Sequence, residues 1–168
     1  PSKRVNFIAE EIKAKVILTQ YQIAKCVKQC APKIVCLDSD WHEIEQEKAT
    51  NLDIPLTSDN LIYMIFTSGS TGNPKGVETL HYNVVALICN TNYMQADDTD
   101  VFSKVNNFAF DISTWEIWTP LVLGASLVGI PENIKFVAEK FADFIRKQGI
   151  TMLYLPTALF HSIGAELP

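Results

Sequence analysis

The sequence predicts an α/β fold, layered, with a mostly parallel sheet flanked by helices. Three observations predict it. Short apolar runs of strand length recur along the chain, and segments with apolar residues at helical spacing separate them. The composition, 48% apolar and 20% charged over 168 residues, is that of a globular chain long enough to bury a core. Such alternation reads as β-α-β units and a parallel sheet.

Val5, Ile8, Ala9 and Ile12 mark a first helix, and Val16, Ile17 and Leu18 a first strand, read as buried. A short helix over residues 21–29 leads to a second strand, Ile34 to Leu37, ended by Asp38, Ser39 and Asp40. Residues 41–48 read as a charged surface helix. Residues 49–60, where Asn, Asp, Pro, Thr and Ser cluster, read as a linker. Residues 61–67 form a strongly apolar strand, with a Gly/Ser/Thr loop directly after it. A helix over 80–93 and a turn at 97–100 follow, then a strand over 101–105, a helix over 113–123 and a strand over 125–130. Residues 134–147 are amphipathic, with Ile134, Val137, Ala138, Phe141 and Ile145 on one side. Residues 151–155 read as the last strand, and Pro156 suits the first turn of a closing helix. No internal repeat is visible.

The formal charge is -5 with a pI near 5.1, and no Lys/Arg run stands out, so nucleic acid is not an expected partner. An anion would have to be held locally, by a loop and a few donors. Pro1, Ser2, Lys3 and Arg4 lead into Glu10 and Glu11 rather than an apolar run, which is not a signal peptide. The uncharged stretch 117–131 is too short to span a bilayer, and 79–96 is too polar, so no membrane partner and a cytoplasmic setting are expected. The cysteines Cys26, Cys30, Cys36 and Cys89 lack the paired spacing of a structural metal site. Reduced thiols, two in a small helix and one in a buried strand, are expected instead.

The loop after the 61–67 strand reads Thr67-Ser68-Gly69-Ser70-Thr71-Gly72-Asn73-Pro74-Lys75-Gly76-Val77. Glycines let backbone N–H groups approach a ligand, and successive N–H groups make an anion-binding concavity. Thr67, Ser68, Ser70 and Thr71 add hydroxyl donors, and Lys75 adds a mobile cation. These parts suit a nucleotide's phosphates. The loop is not a Walker A, which ends Gly-Lys-Ser/Thr; here Pro74 precedes the lysine and Gly76 follows it. The plainer reading is a Gly/Ser turn between two strands. The string from Phe66 to Gly76 resembles, without a mismatch, the signature of AMP-forming synthetases. His81 also matches a histidine common in that family; the alternative for it is an exposed residue at a helix start.

The second segment is Phe110-Asp111-Ile112-Ser113-Thr114-Trp115-Glu116-Ile117-Trp118. Asp111 or Ser113 suits a helix cap. A carboxylate beside Phe110, Ile112 and Trp115 is also a costly arrangement unless it meets a cation, which an α-ammonium would supply. The segment resembles the substrate-binding motif of amino-acid adenylation domains in nonribosomal peptide synthetases. Thr114 stands in place of a usual valine, a change expected to matter little. The resemblance implies that Asp111 grips the substrate's α-amino group and that Ile112, Trp115 and Tyr154 line the side-chain pocket. For Trp115 and Tyr154, core packing is the alternative.

The resemblance implies the large N-terminal region of the adenylate-forming fold, with residues 1–168 as a piece of its AMP-binding subdomain. It implies that Thr67, Ser68, Gly69, Ser70, Thr71, Gly72 and Lys75 bind phosphate, with Lys75 the catalytic cation. It further implies ATP with Mg²⁺, an amino acid substrate, and transfer to the phosphopantetheine thiol of a peptidyl carrier domain. Two alternatives stand beside it: an acyl- or aryl-CoA synthetase segment, to whose substrate Asp111 would offer nothing, and a truncated module without activity. The family's later motifs are not among these residues, so the chain is expected to be a fragment, inactive alone.

Overall fold

The structure, a computed structural model, describes residues 2–27, 31–68 and 73–164. The chain divides into two units, one of Pro1–Leu56 with Phe66–Lys75, the other of Thr57–Ile65 with Gly76–Pro168.

In the first unit, α1 (Ser2–Glu11) leads to β1 (Val16–Thr19), α2 (Tyr21–Val27), β2 (Lys33–Cys36) and the one-turn α3 (Trp41–Ile44). β1 and β2 run parallel, with Val16 opposite Lys33 and Thr19 opposite Cys36. Ala9 of α1 and Val27 of α2 are buried together, with Ala14, Ile17 and Ile34 packed around them. β1 was expected to be buried, but Val16 and Leu18 are 47% and 64% exposed. Side chains alternate across a strand, and only Ile17 points to the cluster. The Asp38 carboxylate accepts from the Tyr21 N–H at 2.9 Å, satisfying a free donor at the start of α2. Asp40 accepts from the Cys36 N–H and the Ser39 hydroxyl, both at 2.8 Å. The expected helix over 41–48 is limited to the single turn of α3.

Strands β3 (Leu61–Ser68) and β4 (Pro74–Leu80) pair as a two-stranded sheet. β4 was not given a place of its own in the expected order of elements, though the reading of the loop as a turn between two strands implies it. α4 (His81–Ile88) begins directly after it and stops well short of the expected residue 93.

The second unit holds the β-α-β pattern in full. β5 (Val101–Lys104) leads through α5 (Ile112–Leu123) to β6 (Ser126–Gly129), which lies parallel to β5 with Val101 opposite Ser126. On the other side of β5, Met152 makes a parallel bridge to Phe102. The expected strand over 151–155 is confined to that bridge, because Leu153 and Leu155 pack into the core instead of extending the ladder. α6 (Ala138–Gln148) and α7 (Thr157–Gly164) complete the unit. Phe141, Val105, Ile130, Leu159 and Ile163 form its core. Two helices end on glycines in the left-handed region, Gly124 at φ 74° and Gly149 at φ 63°, where a Cβ would be strained. The amphipathic pattern begins at Ile134, but the helix starts at Ala138; residues 134–137 make a turn closed by the Val137 N–H on the Ile134 carbonyl.

Cys26 is exposed on α2, Cys36 is buried at the end of β2 and Cys89 follows α4, all as free thiols; Cys30 lies outside the described residues. Among the described residues no helix is long and apolar enough to cross a membrane.

The backbone and hydroxyl donors on Asp40 hold its carboxyl below the ordinary aspartate range. A folded-state pKa below the unfolded one gives stability that is present above the unfolded value, about 3.9, and lost as pH falls through the folded value. Asp40→Ala is therefore expected to lower stability at pH 6, and the gap from wild type should close as pH is lowered below the ordinary aspartate range. Urea melts across that range measure it; a gap independent of pH would show that the carboxylate form is not what the Cys36 and Ser39 donors stabilise.

Candidate functional site

Asp111, Ile112 and Trp115 stand at the start of α5 at spacings of one and four, which puts Asp111 and Trp115 on one helix face. The Trp115 ring lies 5.3 Å from Phe102 of β5 and 6.4 Å from Tyr154, tilted against both. Tilted aromatic pairs at these distances are favourable and fix ring orientation. The four residues implied for substrate binding, Asp111, Ile112, Trp115 and Tyr154, line one open cavity of about 860 Å³. Tyr63 of β3, Thr114, Met94 and Met152 line it too. Sequence reasoning missed Tyr63 and Met94, which come from distant segments with no local signal, and gave Thr114 little weight. Thr114 is buried, and its hydroxyl is hydrogen-bonded to the Tyr63 hydroxyl, tying α5 to β3 at the cavity wall.

Asp111 caps α5, its carboxylate accepting from the Ile112 N–H at 2.8 Å. The carboxylate was expected to be costly among apolar neighbours. Asp111 is instead exposed, and Phe110 beside it is 63% exposed, so water offsets that cost.

Sequence reasoning assigned no role to Glu116, one residue past Trp115. Its side chain is fully buried. It accepts from the Val105 N–H at 2.9 Å, the Asn106 N–H at 3.1 Å and the Asn106 Nδ2 at 2.8 Å. The Lys104 ammonium lies 3.2 Å from its other oxygen and sits 4.5 Å over the Phe108 ring. The Trp-Glu pair at the end of the motif was the available signal.

In the first unit, Thr67 and Ser68 end β3, and the Thr67 hydroxyl donates to the Lys75 carbonyl at 3.5 Å. Lys75 is exposed and makes no ion pair among the described residues. Gly69, Ser70, Thr71 and Gly72 lie outside the described residues. The described flanks of the loop are strands on both sides. His81 opens α4 and lines a separate small cavity with Ser58, Tyr82 and Cys89. No group of three or more His, Cys, Asp or Glu among the described residues is placed to hold a metal ion.

Residues 1–168 match the family model described as AMP-binding enzyme. The chain is 36% identical over 167 residues to bacitracin synthase 1 of Bacillus licheniformis, an alignment covering 98% of this chain and 3% of that protein. Its fold is similar to that of a nonribosomal peptide synthetase, FmoA3, solved with α-methyl-L-serine-AMP bound, with a TM-score of 0.73, 25% identity, and 99% of this chain and 18% of that one covered. It is also similar to the N-terminal domain of FACL13 from Mycobacterium tuberculosis in an inhibitor-bound crystal structure, with a TM-score of 0.82, 18% identity, and 99% and 44% covered. The chain thus spans only a few hundredths of the length of the curated relatives it matches, 3% in the case of bacitracin synthase 1.

The cap predicts a separation of roles at Asp111. Asp111→Ala should cost about 1 kcal/mol of stability, whereas Asp111→Asn, an equally good cap, should cost a few tenths at most. Urea unfolding of the three proteins checks this; an equal loss in both variants would mean the charge, not the acceptor oxygen, supports α5.

Proposed function

The chain belongs to the AMP-binding enzyme family, and from that premise we propose that it is part of an enzyme that activates an amino acid with ATP. The products would be aminoacyl-AMP and pyrophosphate, with the aminoacyl group passed on to the phosphopantetheine thiol of a peptidyl carrier domain. A cytoplasmic setting goes with this reading. The observation that carries it is the convergence of Asp111, Ile112, Trp115 and Tyr154 on one cavity. An exposed carboxylate at the rim of an aromatic wall has the chemistry to take an α-ammonium, while the wall takes a side chain. The adenylate bound in the FmoA3 structure supports the same assignment.

Lys75 and the hydroxyls of Thr67 and Ser68 are the described groups that fit a triphosphate. Lys75 is exposed and without an ion-pair partner among the described residues, so its ammonium is available to phosphate oxygens. Mg²⁺, implied with the triphosphate, would supply charge neutralisation at the phosphates, and no described residue of this chain is assigned to hold it. The chain's own contribution to the reaction would be positioning and charge stabilisation at the phosphates. The ribose-holding groups implied for the family are not among these residues, so the 168-residue chain by itself is not expected to catalyse the reaction.

An acyl- or aryl-CoA synthetase segment is the second reading. The observation that favours it is the cap: Asp111 already has a partner in the Ile112 N–H and is solvated, so its presence does not require an amino group.

Two substitutions in the full-length protein test the proposal. Lys75→Ala should weaken use of ATP by on the order of 1.5–3 kcal/mol, with a smaller effect on the amino acid. Equal losses for both ligands would remove the phosphate role. Asp111→Asn, which keeps the cap, should reduce amino-acid-dependent ATP–pyrophosphate exchange and shift preference toward acids lacking an α-amino group. Exchange within about twofold of wild type, roughly 0.4 kcal/mol, would remove the amino-group role of Asp111.

A further inference from the structure

We infer that Glu116 is a positioning residue for Asp111, setting where the substrate's amino group is held; the inference rests on the amino-acid reading above. Six positions separate the end of β5 from Asp111, and the hydrogen bonds at both ends of that segment go to α5. At the β5 end, Glu116 takes the N–H groups of Val105 and Asn106 and the Asn106 side-chain amide. In the middle, the Asn107 carboxamide oxygen accepts from the Ala109 N–H at 2.9 Å, and the Asn107 carbonyl accepts from the Phe110 N–H at 3.1 Å. At the α5 end, the Ser113 hydroxyl lies 2.6 Å from the Phe110 carbonyl and 3.2 Å from that of Phe108. The segment is therefore pinned at both ends by one helix, and Asp111 stands at the junction.

Ser113 is a neutral anchor within two residues of Asp111. Glu116 is a charged one, fully buried, five residues past Asp111. Its side chain lines neither the cavity nor any exposed surface, so it does not touch substrate. Its effect passes through the backbone it holds. Removing the charge leaves three N–H donors and an ammonium competing for one amide, which frees the β5 end of the segment and lets Asp111 shift relative to Trp115. A carboxylate that must meet an ammonium at hydrogen-bond distance loses more from such a shift than a phosphate loop elsewhere in the chain does.

The test is a double-mutant cycle in the full-length protein, read by amino-acid-dependent ATP–pyrophosphate exchange. Glu116→Gln is expected to raise the amino-acid KM by about tenfold, the size of coupling within one hydrogen-bond network, with the KM for ATP unchanged. In an Asp111→Asn background the same change should have no further effect on the amino-acid KM. Additive effects, or equal rises in both KM values, overturn the inference, the latter by showing general structural damage. If Asp111→Asn alone leaves the amino-acid KM unchanged, it is the amino-acid reading that fails first, and this one with it. Should Glu116→Gln not fold, Asn106→Ala, which removes one donor and keeps Glu116, runs the same cycle with a smaller rise expected and the same loss of effect in the Asp111→Asn background.

Discussion

A charged group with no access to water must be compensated completely or it does not stay charged, and Glu116 sets that condition at the centre of the second unit. At 3.2 Å its attraction to Lys104 is roughly 5 kcal/mol at an effective dielectric of about 20. Removing two ions from water costs several kcal/mol each, so the pair alone does not favour folding. The three N–H donors from Val105 and Asn106 decide the matter. The buried Val105 N–H would otherwise be unsatisfied past the end of β5, where the ladder to β6 stops, and an orphaned buried donor costs about 1–3 kcal/mol. One carboxylate thus ends a strand, starts a loop and fixes the rotation of α5. That rotation turns Trp115 onto Phe102 and Tyr154, and the cavity wall follows from it.

The fold was legible where local pattern and tertiary environment agree. β5, α5 and β6 sit close to their expected places because a buried strand, a capped helix ending on Gly124 and a second strand each carry their own signal. Disagreement arises where pairing or packing overrides the local pattern. Residues 74–80 hold Lys75, Gly76 and Glu78, poor strand formers, and become β4 through pairing with β3. Leu153 and Leu155 have strand spacing, yet the core beneath α6 and α7 takes their side chains and the ladder stops at Met152. α4 ends at Ile88, with Asn90 at φ 57°, a conformation asparagine tolerates better than most residues but that helical periodicity does not reveal.

The candidate site divides along the same line. Asp111, Ile112 and Trp115 are neighbours in sequence, so one helix turn presents them together and a motif can name them. Tyr63, Met94 and Met152 reach the cavity from three other segments, and nothing local marks them as wall. Glu116 falls between the cases. It stood in the motif, but its meaning lies in Val105 and Asn106, some ten residues back, and a partner at that distance is set by the path of the loop between them.

The loop between β3 and β4 differs in its flanks from phosphate loops that open a helix. A strand-to-helix phosphate loop gains from the positive end of the helix and its free N–H groups, an effect of about 0.3–1 kcal/mol for an exposed charge. Here strands stand on both sides, so no helix start contributes from the flanks. The stems are joined by the Thr67 hydroxyl on the Lys75 carbonyl, a contact at the long limit for a hydrogen bond. That contact uses the backbone oxygen of Lys75 and leaves its ammonium free of the join. A charge-assisted bond from a lysine, about 1.5–3 kcal/mol, exceeds what a helix terminus adds to an exposed anion. Among the described residues from 66 to 80, Lys75 is the one cationic side chain, and β4 carries it.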